Sequence, residues 1–385
     1  MKIICATSMP FAQEAFSRLG NVTILPPSEI TPACVRDADA LAVRSTLRVN
    51  RALLEGSRVR FVGTATIGTD HFDIPWLEQA GIHWCSAAGC NANSVAEYVT
   101  AALLRLAARH NFTLAEKTIA VIGVGNVGRL VVNKMNALGL RVLQNDPPRR
   151  DAENNPVFQP LETALREADI VTMHVPLTAD GPYPTRHLAN INFFNMLKPG
   201  AIFINAARGG VQDSDALLSA MDSGHVAHAI LDTWEGEPAF RPDVLTRAAF
   251  GTPHIAGYSY EGKVMGTVMV YRELCRFLNV KPDWDYEALL PAPAIPEIQI
   301  SPTQNDLPIE RLLDEVVRQL YDIERDDKAL RQIAGLDNQA RGRAFEELRQ
   351  KYPVRREFQF TRITGTKLSP KLQQVFSSLG FRCNG

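Results

Sequence analysis

The sequence has few features that would place the chain outside the cell or inside a membrane. Its six cysteines are scattered and form no C-x-x-C pair, which argues against a disulfide framework or a zinc ribbon. It has no run of about 18 apolar residues, so we expect no membrane-spanning helix. The short apolar stretch after Met1 is typical of a first strand, not of a signal peptide. These absences favour a cytoplasmic protein with reduced thiols.

An excess of one charge sign is also missing. The chain has 41 Lys and Arg against 42 Asp and Glu, a net charge of -1. This balance favours neither nucleic acid nor an anionic membrane as a partner. Hydrophobic residues make up 45% of the chain, enough for a buried core. Its 385 residues allow two or three domains.

Short apolar strands dominate the first ninety residues and again the stretch from 118 to 231. The first series predicts a small open α/β unit. The second series, with continuous apolar runs between helical segments, is typical of a parallel sheet buried on both faces. A long helix is predicted between them, with Ser94 as its N-cap and Glu97 completing a capping box. The predicted strands are 2–5, 22–25, 40–43, 61–63, 83–85, 118–124, 140–145, 170–175, 201–205 and 228–231.

A glycine-rich motif follows the first strand of the second series. Gly123, Gly125 and Gly128 form G-x-G-x-x-G between that strand and a helix, and Asp146 closes the next strand. This context is typical of a dinucleotide site, in which the helix N-terminus faces the pyrophosphate and the carboxylate binds the ribose. The carboxylate predicts NAD rather than NADP, although Arg149 and Arg150 weaken that preference slightly.

The motif begins only after a complete α/β unit, which predicts a split first domain. We expect a substrate domain at 1–93 plus 257–285, a nucleotide domain at 94–256 and a third domain at 286–385. The predicted long helices at 94–110 and 257–279 would be the crossings, with a hinge between the first two domains. Past a proline-rich linker, helices at 308–326 and 340–351, the alternating strand EFQFTRIT and a short last helix indicate a small α+β fold.

Three residues with catalytic chemistry follow predicted strands: Arg208, Glu237 and His254. Ligands of open parallel sheets bind outside the carboxyl ends of the strands, so these side chains are expected to converge there. Arg208 can bind a carboxylate with its planar fork, and His254 can remove a hydroxyl proton, with Glu237 orienting its ring. This set predicts the oxidation of a 2-hydroxy acid.

The loop VRSTLRVN, which includes Arg44, Ser45, Thr46 and Arg48, combines hydroxyl groups with positive charge after a strand of the first domain. It is either a solvated loop or a site for the far end of an anionic substrate. Asp70, His71 and Asp73 have no matching ligand cluster elsewhere, so we predict no metal site.

Several segments resemble the D-isomer-specific 2-hydroxyacid dehydrogenases: TATIGTDHFD, GCNANSVAEYV, NAARGG, LDTWEGEP and TPHIAG. The resemblance covers essentially the whole chain. It implies a Rossmann-type doubly wound parallel NAD domain, a discontinuous flavodoxin-like α/β substrate domain and a small C-terminal α+β dimerisation domain. The implied substrate-binding residues are Ser45, Thr66 and Tyr258. Those implied for NAD are Gly123, Gly125, Asn126, Val127, Gly128, Asp146, Val175, Ala206, Ala207, Arg208, Asp232 and Gly257, with Asp232 near the nicotinamide carboxamide.

Within that family, GCNANSVAEYV and KYPVRREF (351–358) are similar to members that oxidise a small phosphorylated 2-hydroxy acid on the route to pyridoxal 5'-phosphate. Two alternatives stay open: a dehydrogenase of another acid, such as 3-phosphoglycerate, and an NAD-sensing corepressor without activity.

We also expect a homodimer formed through the C-terminal domain. A domain of this size is marginal alone, and its apolar stripe needs a covering surface, either the cofactor domain of the same chain or a second subunit. That stripe consists of Leu312, Leu313, Val316, Val317 and Leu320, with Phe358, Phe360 and Ile363 on the strand.

Overall fold

The computed structural model describes residues 1–365 and 368–383, and the chain divides into two compact units. The N-terminal unit comprises Met1–Ala92 and Tyr258–Ala292, and the central unit comprises Asn93–Gly257 and Pro293–Gly385. The strands are β1 Lys2–Ala6, β2 Asn21–Leu25, β3 Ala40–Val43, β4 Phe61–Thr64, β5 His83–Ser86, β6 Thr118–Ile122, β7 Arg141–Asn145, β8 Ile170–Met173, β9 Ala201–Asn205, β10 Val226–Leu231, β11 Phe250–Gly251, β12 Glu297–Ile300, β13 Arg362–Gly365 and β14 Arg382–Cys383.

The helices are mostly short in the N-terminal unit and longer elsewhere. They are α1 Ala12–Phe16, α2 Pro32–Val35, α3 Arg51–Leu54, α4 Ile74–Gln79, α5 Ala92–His110, α6 Asn126–Ala137, α7 Pro147–Glu153, α8 Leu161–Glu167, α9 Ile191–Asn195, α10 Ser214–Asp222, α11 Pro242–Arg247, α12 Tyr260–Phe277, α13 Ile309–Leu320, α14 Ile323–Ile333, α15 Asn338–Gln350 and α16 Pro370–Leu379. No described helix is both long and apolar enough to cross a membrane.

The N-terminal unit has a five-stranded parallel sheet in the order β2-β1-β3-β4-β5, which is the flavodoxin-like order. Successive residues of its central strands enter different apolar clusters. Leu41 and Val43 lie in one cluster, while Ala40 and Ala42 lie in the other. Both faces of the sheet are therefore covered, as the continuous apolar runs indicate.

The central unit contains a six-stranded parallel sheet in the order β11-β10-β9-β8-β6-β7. An isolated parallel bridge between Gln144 and Phe158 stands beside β7, where a doubly wound sheet places a further strand. The order reverses between β6 and β8, so the switch point of the fold lies at the end of β6, where the glycine motif begins. The predicted Rossmann-type fold is confirmed.

The C-terminal segment packs into the central unit from Pro293 onward and forms no separate unit from 286. Its three-stranded parallel sheet has the order β12-β13-β14. Leu330 of α14 and Phe345 of α15 join the apolar cluster beneath the central sheet. The segment completes the core of the nucleotide-binding unit because its helices cover apolar surface that would otherwise face water.

The apolar stripe of α13 is buried within the chain. Leu312, Leu313, Val316 and Val317 are almost fully buried, and Asp314 between them pairs with Arg105 of α5 at 2.8 Å. A second subunit is therefore not required to cover this stripe, and that part of the argument for a dimer was wrong.

Local deviations from the predicted elements have tertiary causes. Helix α5 begins at Ala92, so Ser94 is not its N-cap; its hydroxyl instead donates to Glu357 of the C-terminal segment at 3.1 Å. The segment Phe358–Phe360 is a 3-10 turn and not strand, because the amide of Phe358 donates to Glu97 and leaves no extended ladder. The predicted helix 308–326 is interrupted after Leu320, where Tyr321 ends α13 and Asp322 caps α14.

Candidate active site

The glycine motif forms a tight turn between β6 and α6, and two of its glycines are required by the protein's own packing. Gly123 has a φ of +87°, and a Cβ there would lie 2.8 Å from the backbone of His174. A Cβ at Gly128 would lie 2.0 Å from the carbonyl oxygen of Gly123. These contacts keep the start of α6 close to the end of β6.

Gly125 differs because a Cβ there would meet no described atom within 4 Å. Its missing side chain therefore leaves open space in front of the first turn of α6, where the amides of Asn126 and Val127 begin the helix. A pyrophosphate binds at a helix N-terminus that it can approach closely, with no side chain in the way. The loop consequently fits a dinucleotide.

Asp146 follows β7 and lies beside the glycine loop. Its carboxylate accepts one hydrogen bond from the amide of Val124 at 2.8 Å and one from the amide of Arg149 at 3.1 Å. A carboxylate has about four acceptor sites, so further hydrogen bonds from ribose hydroxyls are possible at both oxygens. The side chain of Arg149 is held by Glu153 and by the carbonyl of Val124 in the glycine loop.

The other cofactor residues lie at neighbouring strand ends of the central unit. Val175 follows β8, and its Cγ1 would lie 2.9 Å from a Cβ at Gly123. Ala206 and Ala207 follow β9, where the amide of Ala207 donates to Asn205. Gly257 ends the segment after β11. Their contacts to NAD stay predictions.

Arg208 lies in a tightly held turn after β9. The side-chain amide of Asn205 donates to the carbonyl of Arg208 at 3.0 Å, and the guanidinium Nη1 donates to the carbonyl of Ala207 at 2.8 Å. At Gly209 a Cβ would lie 2.0 Å from the carbonyl oxygen of Trp234. This close approach fixes the Arg208 turn against the loop after β10.

Glu237 and His254 form a hydrogen-bonded pair. The Nδ1 atom of His254 lies 2.6 Å from Oε1 of Glu237, and Oε2 accepts the amide of Trp234 at 3.1 Å. Burial opposes ionisation of Glu237, but the neighbouring His254 and these hydrogen bonds outweigh it and lower the pKa of the carboxyl. Because an ionised carboxylate only accepts, Nδ1 carries the hydrogen and Nε2 is left as the basic nitrogen.

Strand pairing brings the three predicted catalytic residues to one edge of the sheet. Strands β9, β10 and β11 are neighbours, with Leu231 paired to both Asn205 and Gly251. Arg208, Glu237 and His254 each follow one of these three strands, so the tertiary structure collects them at the carboxyl edge as expected.

A buried network holds the loop of His254. The carboxylate of Asp232 accepts from the hydroxyl of Thr252 at 2.6 Å and from the amides of Ile255 and Ala256 at 2.8 and 2.9 Å. His254 itself has a φ of +56°, which is uncommon for a residue with a side chain. The resemblance implies that Asp232 lies near the nicotinamide carboxamide. Its hydrogen bonds also position the loop of His254.

The predicted substrate residues lie in the N-terminal unit. Ser45 and Thr66 follow β3 and β4, which pair side by side, so both lie at the carboxyl edge of that sheet. Thr66 is held by Thr64 at 2.8 Å and by the carbonyl of Gly68. Tyr258 precedes α12, with the ammonium group of Lys263 4.8 Å from its ring centre.

His71 is tied to the same strand end, since its Nε2 lies 3.0 Å from the hydroxyl of Thr64. Burial lowers the pKa of His71 to about 4, although Asp70 opposes the shift. Its neutral imidazole is therefore hydrogen-bonded to Thr64, which in turn is hydrogen-bonded to Thr66. Within residues 1–365 and 368–383, no group of three or more His, Cys, Asp or Glu is arranged to hold a metal ion.

Sequence reasoning missed the residues that support the catalytic loop. Trp234 donates its indole hydrogen to the carbonyl of Thr252, and Tyr98 lies within hydrogen-bond distance of the Thr252 hydroxyl. Asp327 of α14 accepts from the amide of Gly251 at 2.8 Å. Only the proximity of Trp234 to Glu237 in LDTWEGEP was a sequence signal, because the other contacts join distant parts of the chain.

Two protein-family models match parts of the chain. Residues 91–256 match the model of the D-isomer specific 2-hydroxyacid dehydrogenase, NAD binding domain. Residues 289–380 match a domain of unknown function, DUF3410.

Two solved structures share the fold. The D-lactate dehydrogenase of Aquifex aeolicus, complexed with NAD and lactic acid, has a TM-score of 0.56 and 24% identity and covers 72% of this chain and 95% of its own. The TT0316 protein of Thermus thermophilus has a TM-score of 0.61 and 25% identity, covering 73% of this chain and 98% of its own.

Two sequence relatives extend over nearly the whole chain. The erythronate-4-phosphate dehydrogenase of Shigella dysenteriae serotype 1 (strain Sd197) is 46% identical over 93% of this chain and 92% of its own length. That of Escherichia coli O9:H4 (strain HS) is 45% identical over the same shares. With its glycine loop and its arginine, glutamate and histidine at successive strand ends, the chain belongs to the NAD-dependent D-isomer-specific 2-hydroxyacid dehydrogenases, alongside the erythronate-4-phosphate dehydrogenases.

Proposed function

We propose that the chain oxidises 4-phospho-D-erythronate to 2-oxo-3-hydroxy-4-phosphobutanoate with NAD, a step of pyridoxal 5'-phosphate biosynthesis. The observation that carries the proposal is the Glu237–His254 pair at 2.6 Å, beside Arg208 at the carboxyl edge of the sheet. The proposed substrate is taken from the names of two relatives, which are erythronate-4-phosphate dehydrogenases.

Two groups leave the substrate when a 2-hydroxy acid becomes a 2-oxo acid: the proton of the C2 hydroxyl and the hydride on C2. The oxidised nicotinamide, when bound, accepts the hydride. His254 accepts the proton at Nε2, since its Nδ1 hydrogen is committed to Glu237. Glu237, ionised because its pKa is lowered, then stabilises the imidazolium that forms.

Arg208 holds the substrate carboxylate in this proposal. A guanidinium presents paired N–H groups that match a carboxylate, so it fixes the orientation of the adjacent C2 atom. The turn from Asn205 to Gly209 restricts where this side chain reaches. Binding the substrate carboxylate thereby also fixes the position of C2, the carbon to be oxidised.

The substrate phosphate is assigned to the loop after β3. Ser45 and Arg48 are exposed there, and Arg44 donates to the carbonyl of Ser8 after β1. Replacing Arg48 by Gln is expected to raise the KM of the phosphorylated acid and leave KM for NAD near its original value. Arg51→Gln is the matched control, because the exposed side chain of Arg51 pairs with that of Glu55. Equal effects of both substitutions would contradict the assignment.

The proposed activity is tested by following NADH formation at 340 nm with purified protein, NAD and a panel of acids. We expect 4-phospho-D-erythronate to give the highest kcat/KM, above D-erythronate, 3-phosphoglycerate and D-lactate. A higher kcat/KM for 3-phosphoglycerate would replace the proposed substrate. NAD binding without turnover of any of these acids would favour an NAD-sensing protein.

We also propose that the protein acts in the cytoplasm as a homodimer joined through its C-terminal segment. No described cysteine forms a disulfide, as expected in a reducing compartment. Val354, in KYPVRREF, is 72% exposed, and an apolar side chain so exposed suits an interface. Val354→Asp should leave folding intact and give a monomer by light scattering. A monomeric parent chain at micromolar concentration, or a dimeric variant, would contradict this site.

A further inference from the structure

We propose that Arg355 of the C-terminal segment is a positioning residue that holds the His254 loop in its catalytic conformation. The inference rests on the proposed dehydrogenase function and assigns part of it to the domain of unknown function. It is carried by contacts within the central unit alone.

Arg355 is 4% exposed and bonds two backbone carbonyl groups from distant parts of the chain. Its Nη2 donates to the carbonyl of Ala256 at 2.5 Å and to that of Ser94 at 3.2 Å. The guanidinium carbon lies 4.5 Å from the ring centre of Tyr321. Ala256 lies two residues after His254, so one guanidinium links the catalytic loop to helix α5.

Ala256, which lies two residues after His254, is thereby held on both sides. The amide of Ala256 donates to Asp232, while its carbonyl accepts from Arg355. His254 has a positive φ, and such a backbone persists only where the surroundings determine it. Arg355 supplies the C-terminal half of that restraint.

The C-terminal segment supports the loop in two further ways, one direct and one through helix α5. Asp327 accepts the amide of Gly251 at the start of the loop. The ring of Tyr321 packs against Tyr98, whose hydroxyl lies 2.9 Å from that of Thr252. The segment therefore restrains the loop directly at Gly251 and Ala256, and at Thr252 through Tyr98 of helix α5.

The chemistry of Arg355 fits a positioning role better than a role in stability. Its Nε and Nη1 are buried without a hydrogen-bond partner among the described residues, and burying a polar atom without a partner is costly. An apolar side chain of similar length would avoid that cost. Such an apolar side chain would not link the carbonyl groups of Ala256 and Ser94.

The test compares Arg355→Met and Arg355→Lys with Ile363→Ala. Ile363 is buried in β13 of the same segment, so its truncation reports general destabilisation. We expect Arg355→Met to lower kcat by about 10- to 100-fold through misplacement of His254, with KM for NAD near its original value. Arg355→Lys, which keeps a donor, should recover part of the loss. Ile363→Ala should lower the melting temperature while kcat stays close to that of the parent chain.

A second readout does not depend on turnover. The ring-proton signals of His254, identified by their loss in His254→Gln among the eight histidines of the chain, should shift in both Arg355 variants and not in Ile363→Ala. Unchanged His254 signals, or equal kcat losses in Arg355→Lys and Ile363→Ala, would overturn the inference. If Arg355→Met does not fold, Arg355→Lys alone decides by the same criteria. A parent chain that turns over no acid would contradict the proposed function, while the histidine signals would still test the positioning.

Discussion

The imidazole of His254 and the carboxylate of Glu237 meet at 2.6 Å, although 17 residues separate them in the sequence. Glu237 is fixed by the amide of Trp234, and His254 by a backbone bond to the carbonyl of Asp232 at 2.8 Å. Both partners are therefore held by backbone groups of the loop after β10, at Trp234 and Asp232. This relationship makes Nε2 of His254 the basic atom of the site.

Replacing His254 by Ala should lower kcat by roughly 10²–10⁴-fold, since the base that removes the hydroxyl proton is lost. NAD affinity, measured by calorimetry, should stay close to that of the parent chain because the glycine loop and Asp146 are untouched. Turnover near that of the parent chain would exclude His254 as the base.

Replacing Glu237 by Gln should lower kcat by roughly 10–100-fold, because an amide no longer selects the correct histidine tautomer or stabilises its charged form. Glu235→Gln is the matched control two residues away, since Glu235 pairs with His187 instead. Its kcat should stay near that of the parent chain. Steady-state kinetics that rank the two variants in the opposite order would contradict the role of Glu237.

Alanine at Gly125 and at Gly128 should have different consequences. The Cβ of Gly125→Ala meets no described atom within 4 Å, so the protein should fold normally but show a raised KM for NAD. Gly128→Ala would meet the carbonyl oxygen of Gly123 at 2.0 Å, so it should lower the melting temperature. Thermal unfolding and NAD titration on both variants test the pair. An unchanged KM for NAD in Gly125→Ala would place the pyrophosphate elsewhere.

Asp146→Ser should improve the use of NADP relative to NAD, because it removes the carboxylate that repels a 2'-phosphate. Serine can still cap helix α7, so stability should change little. Asp151→Ser removes the same charge from α7 and is the control. We expect the ratio of kcat/KM for NADP to that for NAD to rise in the first variant alone. A parent chain that uses both cofactors equally would refute the assignment of Asp146.

Acid should destabilise the protein partly through two half-buried histidines, His71 and His174. Burial lowers the pKa of His71 to about 4 and that of His174 to about 3, from an ordinary 6.5. Below pH 6.5 the unfolded chain binds protons that the folded chain refuses, so stability should be complete above that pH and fall toward pH 4. His71→Asn should reduce the slope of melting temperature between pH 7 and pH 5, and His110→Asn, at an exposed position, should not. Equal slopes in the parent chain and both variants would contradict the linkage.

Strand positions followed closely from the sequence where the apolar runs were continuous. The predicted strands 40–43 and 201–205 coincide with β3 and β9, and the glycine motif lies at the turn it predicts. Such features depend on local sterics and on burial from both faces, which neighbouring residues determine. The strand expected before His254 is β11, which is only two residues long, Phe250–Gly251.

What the sequence alone determined was the chemistry available: a glycine turn with room at Gly125, a carboxylate after β7, and an arginine, a glutamate and a histidine after three successive strands. Only the tertiary structure decided how these groups are held. The contacts of Arg355 with Ala256, and of Asp327 with Gly251, join residues 99 and 76 positions apart. No local pattern encodes such pairs, because each backbone carbonyl or amide looks the same in any sequence and its partner is chosen by packing.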